Sequence, residues 1–163
     1  MEIINLLPQH WEEVKSIYLQ GIATGQATFQ TSAPTWEEWD KGHLATCRLV
    51  AIQDGKVCGW AALTPVSGRC VYAGVAEVSV YIGENFRGQR VGQRLLENLI
   101  SQSESQNIWT LQAGIFPENV ASVKLHEKLG FRIVGLRERL AKMNGIWRNV
   151  YLLERRSQVT GID

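Results

Sequence analysis

At 163 residues, with 45% apolar and 20% charged residues, the chain suits one domain, long enough to bury a core and too short for two independent folds. Its formal net charge of +1 excludes bulk attraction to nucleic acid or to an anionic membrane surface, so the basic residues matter locally. No apolar run approaches a membrane span, and Met1–Leu7 lacks the basic flank and long apolar stretch of a leader; the expectation is a cytoplasmic protein with no membrane partner.

In chain order, Glu2–Leu7 reads as a strand and Pro8–Leu19 as a helix with Trp11, Val14, Ile17 and Tyr18 on one side. Gly21–Thr35 is a polar, turn-rich loop whose only large apolar residue is Phe29, and loops of this length often border active sites. Thr35, with Glu38 three residues on, caps a short helix over Trp36–Leu44. Leu49–Ile52 and Val57–Leu63 flank Asp54-Gly55, a strong hairpin signal. Pro65–Gly68 forms the next turn, and Cys70–Gly83 reads as a long central strand. It feeds a helix over Gly88–Ser105, followed by a strand over Ile108–Ile115. After Pro117 a second capped helix starts at Asn119 and ends at Gly130, a C′ glycine. Phe131–Leu140 and Ile146–Leu153 close the chain as a hairpin around Asn144-Gly145, ahead of a polar tail over 156–163.

The order is β-α-α-β-β-β-α-β-α-β-β. Hairpins at both ends with helices between them indicate a mixed α/β (α+β) fold, a mostly antiparallel sheet flanked by helices, in one domain spanning 1–163. The cysteines Cys47, Cys58 and Cys70 lack C-x-x-C spacing and are odd in number; they read as reduced core thiols, and no metal site is expected.

The chain is organised around Glu77–Leu96. Val78, Val80 and Ile82 alternate with Glu77, Ser79 and Tyr81, the period of a strand with two distinct faces. Arg87-Gly88-Gln89-Arg90-Val91-Gly92 then leads into a helix with Val91, Leu95, Leu96, Leu99 and Ile100 at helical spacing. A glycine-bearing turn at a helix start directs several main-chain N–H groups at one spot, which makes it an anion site suited to a pyrophosphate.

These residues resemble the GCN5-related N-acetyltransferases, and within them the phosphinothricin acetyltransferase-like branch. The family's cofactor motif stands here as Arg87-Gly88-Gln89-Arg90-Val91-Gly92, with Arg90 where the first glycine usually is. Asn119-Val-Ala-Ser-Val-Lys-Leu-His-Glu-Lys-Leu-Gly-Phe131 is similar to a second family segment almost position for position. Ala27-Thr-Phe29, Trp36-Glu-Glu-Trp39 and Asn144-Gly-Ile-Trp147 resemble the branch in particular.

The resemblance implies an acetyl-CoA-dependent N-acetyltransferase acting by direct transfer on a small amino-acid-like amine of the phosphinothricin or methionine sulfoximine or sulfone type, and commonly a homodimer. The turn from Arg87 to Gln93 would hold the diphosphate, and the backbone of Val80, Tyr81 and Ile82 the pantetheine arm. Asn119 and Ser122 would border the same arm. Glu77 aligns with the branch's general base, with a structural ion pair to Arg69 as the alternative; His126 stands where many relatives carry the tyrosine that protonates the CoA thiolate. Phe29 and Arg69 are the candidates for the acceptor side, with Trp36 and Trp39 as further wall or as core. Other acceptors (a protein N-terminus or a polyamine), a non-catalytic acyl-CoA sensor and a covalent cysteine route are the remaining readings.

Overall fold

In the computed structural model, which describes Met1–Asp163, the seven strands and four helices occur in the expected order. They are β1 (Glu2–Asn5), α1 (Trp11–Ala23), α2 (Trp36–Gly42), β2 (Leu49–Gln53), β3 (Lys56–Pro65), β4 (Val75–Ile82), α3 (Val91–Ser105), β5 (Thr110–Ile115), α4 (Val120–Lys128), β6 (Arg132–Met143) and β7 (Ile146–Arg156). One sheet runs β1-β2-β3-β4-β5-β7-β6, and only β4 and β5 are parallel neighbours.

Local chemistry accounts for the boundaries. Asp54-Gly55 and Asn144-Gly145 take positive φ at both residues, so each closes a tight hairpin whose twist matches its strands. Thr35 Oγ1 accepts the Glu38 N–H at 3.2 Å, and Asn119 Oδ1 accepts the Ser122 N–H at 3.3 Å, each capping a helix as expected.

The sheet is covered on both faces. On one, α3 buries Val91, Leu95, Leu96 and Leu99 against Ala61, Leu63, Val78 and Leu153. Each leucine there contributes about 2–3 kcal/mol through its removal from water. On the other face Trp11, Val14 and Ile17 of α1 and Trp39 of α2 pack against Val50, Val57 and Trp60. The alternation in β4 divides its side chains between these layers: Val78, Val80 and Ile82 face the α3 core, while Tyr81 stacks on Trp60 with ring centroids 4.8 Å apart.

Three expectations are corrected. The strand predicted from Cys70 starts at Val75, because Cys70–Tyr72 forms a 3-10 turn; Cys70 is therefore exposed, and only Cys47 and Cys58 are core thiols. The helix predicted from Gly88 starts at Val91, since Gly88 and Arg90 hold φ of 75° and 63°, values a right-handed helix excludes. Finally, β7 runs on through Arg155 and Arg156 rather than ending at Leu153. There Arg155 Nη1 reaches Glu104 Oε1 of α3 at 2.9 Å, and Ser157 beyond it is buried, so this part of the expected tail belongs to the fold.

One departure from a regular sheet sets up the site. β4 and β5 pair only from Val75–Glu77 to Thr110–Gln112. Beyond Glu77, β4 follows β3 as far as Ile82, whereas β5 follows β7 as far as Ile115. The two strands part, leaving a wedge edged by unladdered main chain.

Candidate active site

Two cavities open from this wedge, one of about 630 Å³ and one of about 310 Å³. They share Gln26, Ala27, Val80, Tyr81, Asn119 and Ser122, so β4, the start of α4 and the loop after α1 form their common wall.

The larger cavity is electropositive. Arg87, Arg90, Lys124 and Lys128 line it, and no carboxylate does. None of the main-chain amides from Arg87 to Gln93 donates within the fold; the first donor of α3 is Arg94, to Arg90 O at 3.1 Å. Arg90 itself takes the left-handed conformation, with φ of 63°, that a glycine adopts most readily. Gly92 is needed for closeness. A methyl there would stand 3.1 Å from Leu125 Cδ2 and 3.3 Å from Ile82 Cδ1, so α3, α4 and β4 converge at the cavity rim. Four cations, an acid-free lining and a set of unused N–H groups fit a polyanionic diphosphate.

Of the expected cofactor residues, Val80, Tyr81, Ile82, Arg87, Gly88, Arg90, Gly92, Gln93, Asn119 and Ser122 line this cavity. Val91 and Gln89 do not: Val91 is buried under the turn in the α3 core, and the Gln89 amide turns back to Asn85 O at 3.1 Å. Their contribution is limited to the backbone.

The smaller cavity holds the candidate catalytic groups. Glu77 lines it, and its carboxylate has one hydrogen-bond donor, Gln112 Nε2, at the long distance of 3.5 Å. No cation claims it. None of the chain's four ion pairs involves Glu77 or Arg69, so the alternative pairing of these two residues is not formed. A half-buried carboxylate with so little inside the protein to hold it has its remaining lone pairs open to the cavity.

His126 also lines this cavity and is only 4% exposed. Its Nδ1 lies 2.7 Å from Ser122 O; a carbonyl only accepts, so Nδ1 carries the proton. Burial pushes the imidazole below its ordinary range, with the Ser122 carbonyl opposing in part. The neutral ring therefore presents Nε2 as an acceptor, better suited to receiving a proton than to supplying one.

Phe29 lines the cavity edge-on to Phe116, with centroids 4.9 Å apart. Arg69 lies outside both cavities, exposed, with its guanidinium 5.7 Å above the Tyr72 ring. Trp36 and Trp39 belong to the core: Trp39 is 3% exposed and stacks on His43 at 4.0 Å.

Sequence reasoning missed Arg148, Gln112 and Arg137. Arg148 donates to Gly25 O at 3.0 Å and Gln26 Oε1 at 2.7 Å, meets Glu118 Oε2 at 3.3 Å, and covers the Phe116 ring at 4.0 Å. Asn119 Nδ2 adds a bond to Gln26 O at 3.2 Å, so β7 and α4 together hold the loop that walls both cavities. Gln112 was hidden in an ordinary alternating strand, and Arg137 is the one cation lining the smaller cavity. The length of Gly21–Thr35 and the likeness around Ala27-Thr-Phe29 pointed to this loop, but neither pointed to the side chains that hold it.

Comparisons with known proteins identify the family. The family model described as the acetyltransferase (GNAT) family matches residues 10–131. YwnH of Bacillus subtilis (strain 168) is 38% identical over 139 residues, covering 82% of this chain and 85% of that protein. Phosphinothricin N-acetyltransferase of Alcaligenes faecalis is 32% identical over 152 residues, covering 87% of this chain and 75% of that protein. Among solved structures, a GNAT superfamily phosphinothricin acetyltransferase from Sinorhizobium meliloti in complex with AcCoA superposes with a TM-score of 0.88, at 22% identity over 99% of this chain and 91% of that chain. The matched segment contains both the electropositive turn and Glu77, and the chain belongs to the acetyltransferase (GNAT) family, as an acetyl-CoA-dependent N-acetyltransferase.

Proposed function

We propose that this enzyme transfers the acetyl group directly from acetyl-CoA to the amino group of a small amino-acid-like acceptor of the phosphinothricin or methionine sulfoximine or sulfone type. The observation that carries the reading is the meeting of an acid-free cationic cavity and a small cavity containing Glu77 where β4 and β5 part. One volume suits the carrier and the other a small amine, and the acyl group crosses between them without a relay.

Acetyl-CoA supplies an activated thioester. Main-chain amides at Arg87–Gln93 bind its phosphates, and the open edge of β4 from Val80 to Ile82 aligns its arm as an added strand would. Glu77 takes the proton from the acceptor's ammonium, whose pKa is roughly 8 or above, directly or through water. The free amine then attacks the thioester carbon, the C–S bond breaks, and CoA leaves as a thiolate that takes up a proton, with His126 Nε2 as the acceptor that relays it from the amine side. A cysteine relay finds no support: burial raises the Cys47 and Cys58 thiols above their ordinary range, and neither they nor Cys70 lines either cavity.

The reading includes a cytoplasmic homodimer. No helix is long and apolar enough to cross a membrane, and Leu136, Ile146 and Trp147 on the β6–β7 ribbon are exposed for a second copy to cover.

The test is an acceptor screen of the pure protein, reading CoA release with phosphinothricin, methionine sulfone, a polyamine and an N-terminal peptide. Turnover with the two amino acids supports the proposal; turnover only with the polyamine or the peptide refutes it.

A further inference from the structure

The smaller cavity contains a charge for which the chemistry above has no use. Arg137 lines it, takes part in none of the four ion pairs, and is the only cation among its lining residues. Its placement follows from the sheet. Arg137 of β6 stands opposite Val150 of β7, so the two side chains share a face about 5 Å apart. Val150 in turn lies beside Gly114 of β5, where a methyl would come 3.4 Å from Val150 Cγ1 and 3.8 Å from Glu77 Oε1. Glu77, Gly114, Val150 and Arg137 thus form a line across four neighbouring strands, with the carboxylate at one end and the guanidinium at the other. Because Gly114 has no side chain, the floor between the two charges stays open.

The strand is also shaped at this point. Between Arg137 and Ala141 the register of β6 against β7 slips: three β6 residues stand opposite Asn149 alone, whose Oδ1 accepts the Arg139 N–H at 2.9 Å. Such a bulge redirects side chains at and beside it, and here Arg137 just before it and Leu140 within it both line the cavity.

We propose that Arg137 is the specificity-determining residue that receives the anionic end of the acceptor, its carboxylate or phosphinate, while Glu77 receives the ammonium end. This assignment rests on the acceptor reading given above and deepens it: the cavity selects zwitterionic amino acids over simple amines. The guanidinium offers a planar fork to either anion, which a lysine would match in charge but not in shape.

The experiment compares wild type, Arg137→Ala and Arg137→Lys on three acceptors. These are methionine sulfone, phosphinothricin and the amine corresponding to methionine sulfone with hydrogen in place of the carboxylate. Acetyl-CoA affinity is measured by calorimetry in each protein. Arg137→Ala is expected to raise KM for methionine sulfone about ten- to hundredfold while acetyl-CoA affinity holds. Selectivity for the amino acid over the amine then collapses, and Arg137→Lys restores part of it. A loss confined to phosphinothricin assigns the contact to the phosphinate rather than the carboxylate. An unchanged KM for both amino acids in Arg137→Ala, or an equal loss for amino acid and amine, overturns the role of Arg137 and leaves the acceptor reading standing. A wild type that binds acetyl-CoA and acetylates neither amino acid overturns both.

Discussion

Replacing Glu77 with glutamine removes one function with little else disturbed. The amide has the shape of the carboxylate, and the only hydrogen bond at stake is the 3.5 Å contact from Gln112 Nε2, which a glutamine oxygen still accepts. No ion pair is broken and no cavity is made, so the fold and the acetyl-CoA cradle should be unaffected. The catalytic loss is that of a general base, about 10²- to 10⁴-fold in kcat, or roughly 3–5 kcal/mol of barrier. CoA release at saturating concentrations of both substrates measures it, with KM for acetyl-CoA staying within about twofold of wild type and KM for the acceptor rising as its ammonium loses the carboxylate. The pH profile adds a second signature. Without Glu77 the amine must lose its proton unaided, so the variant's rate should climb about tenfold per pH unit up to the acceptor's own pKa. A Glu77→Gln enzyme within about threefold of wild-type kcat from pH 6 to 9 would refute the assignment.

Acid should destabilise the fold through half-buried His43 and buried His126. Burial holds His43 and His126 below the ordinary imidazole range, so both are neutral in the folded chain and protonate near pH 6.5 once it unfolds. The unfolded state then binds more protons, and stability falls as pH drops from about 6.5 toward the lowered folded values, by at most ~1.4 kcal/mol per pH unit for each ring; above pH 6.5 neither contributes a slope. Urea melts between pH 7.5 and 5 should be flatter for His126→Gln, and an unaltered slope would remove that residue from the explanation. Arg90→Gly relieves a left-handed residue with φ of 63° and should stabilise the protein by up to about 1 kcal/mol. If main-chain donors carry the cradle, calorimetry should find its acetyl-CoA affinity within about tenfold of wild type; a hundredfold loss would transfer the role to the guanidinium. Arg148→Met keeps much of the bulk over Phe116 and loses the bonds to Gly25, Gln26 and Glu118, which should cost about 1–3 kcal/mol. Amide exchange in residues 24–30 should quicken, and protection equal to wild type would show that other contacts hold the loop.

Where adjacent residues decide the outcome, the sequence could be read. Alternation in Val78–Ile82, the pairs Asp54-Gly55 and Asn144-Gly145, and the caps Thr35 and Asn119 each act within a few residues, and the order of elements followed from them. Cys70–Tyr72 misled because Val71 and Tyr72 have strand-forming side chains; the structure nevertheless exposes both in a 3-10 turn. The closing strand is expected to stop at Leu153 because Glu154-Arg155-Arg156 are charged, yet Arg155 meets Glu104 across 51 positions of sequence. Distance along the chain hid Arg148 in the same way, since its partners at Gly25 and Gln26 lie 123 and 122 positions away. The aim of Arg137 depends on a register slip that no local pattern announces.

The parting of β4 from β5 separates two kinds of recognition. In the proposed function, peptide groups, common to every amino acid, grip the carrier, so drift in side-chain identity along Val80–Ile82 erodes that grip slowly, whereas Gly88 and Gly92 are fixed by backbone shape and close packing. In the same proposal the choice of amine rests instead on a handful of side chains at the far end of the wedge, on the loop behind α1 and on the bulged strand β6. Acceptor preference can therefore be reprogrammed by changing few positions, leaving the thioester half of the reaction as it is.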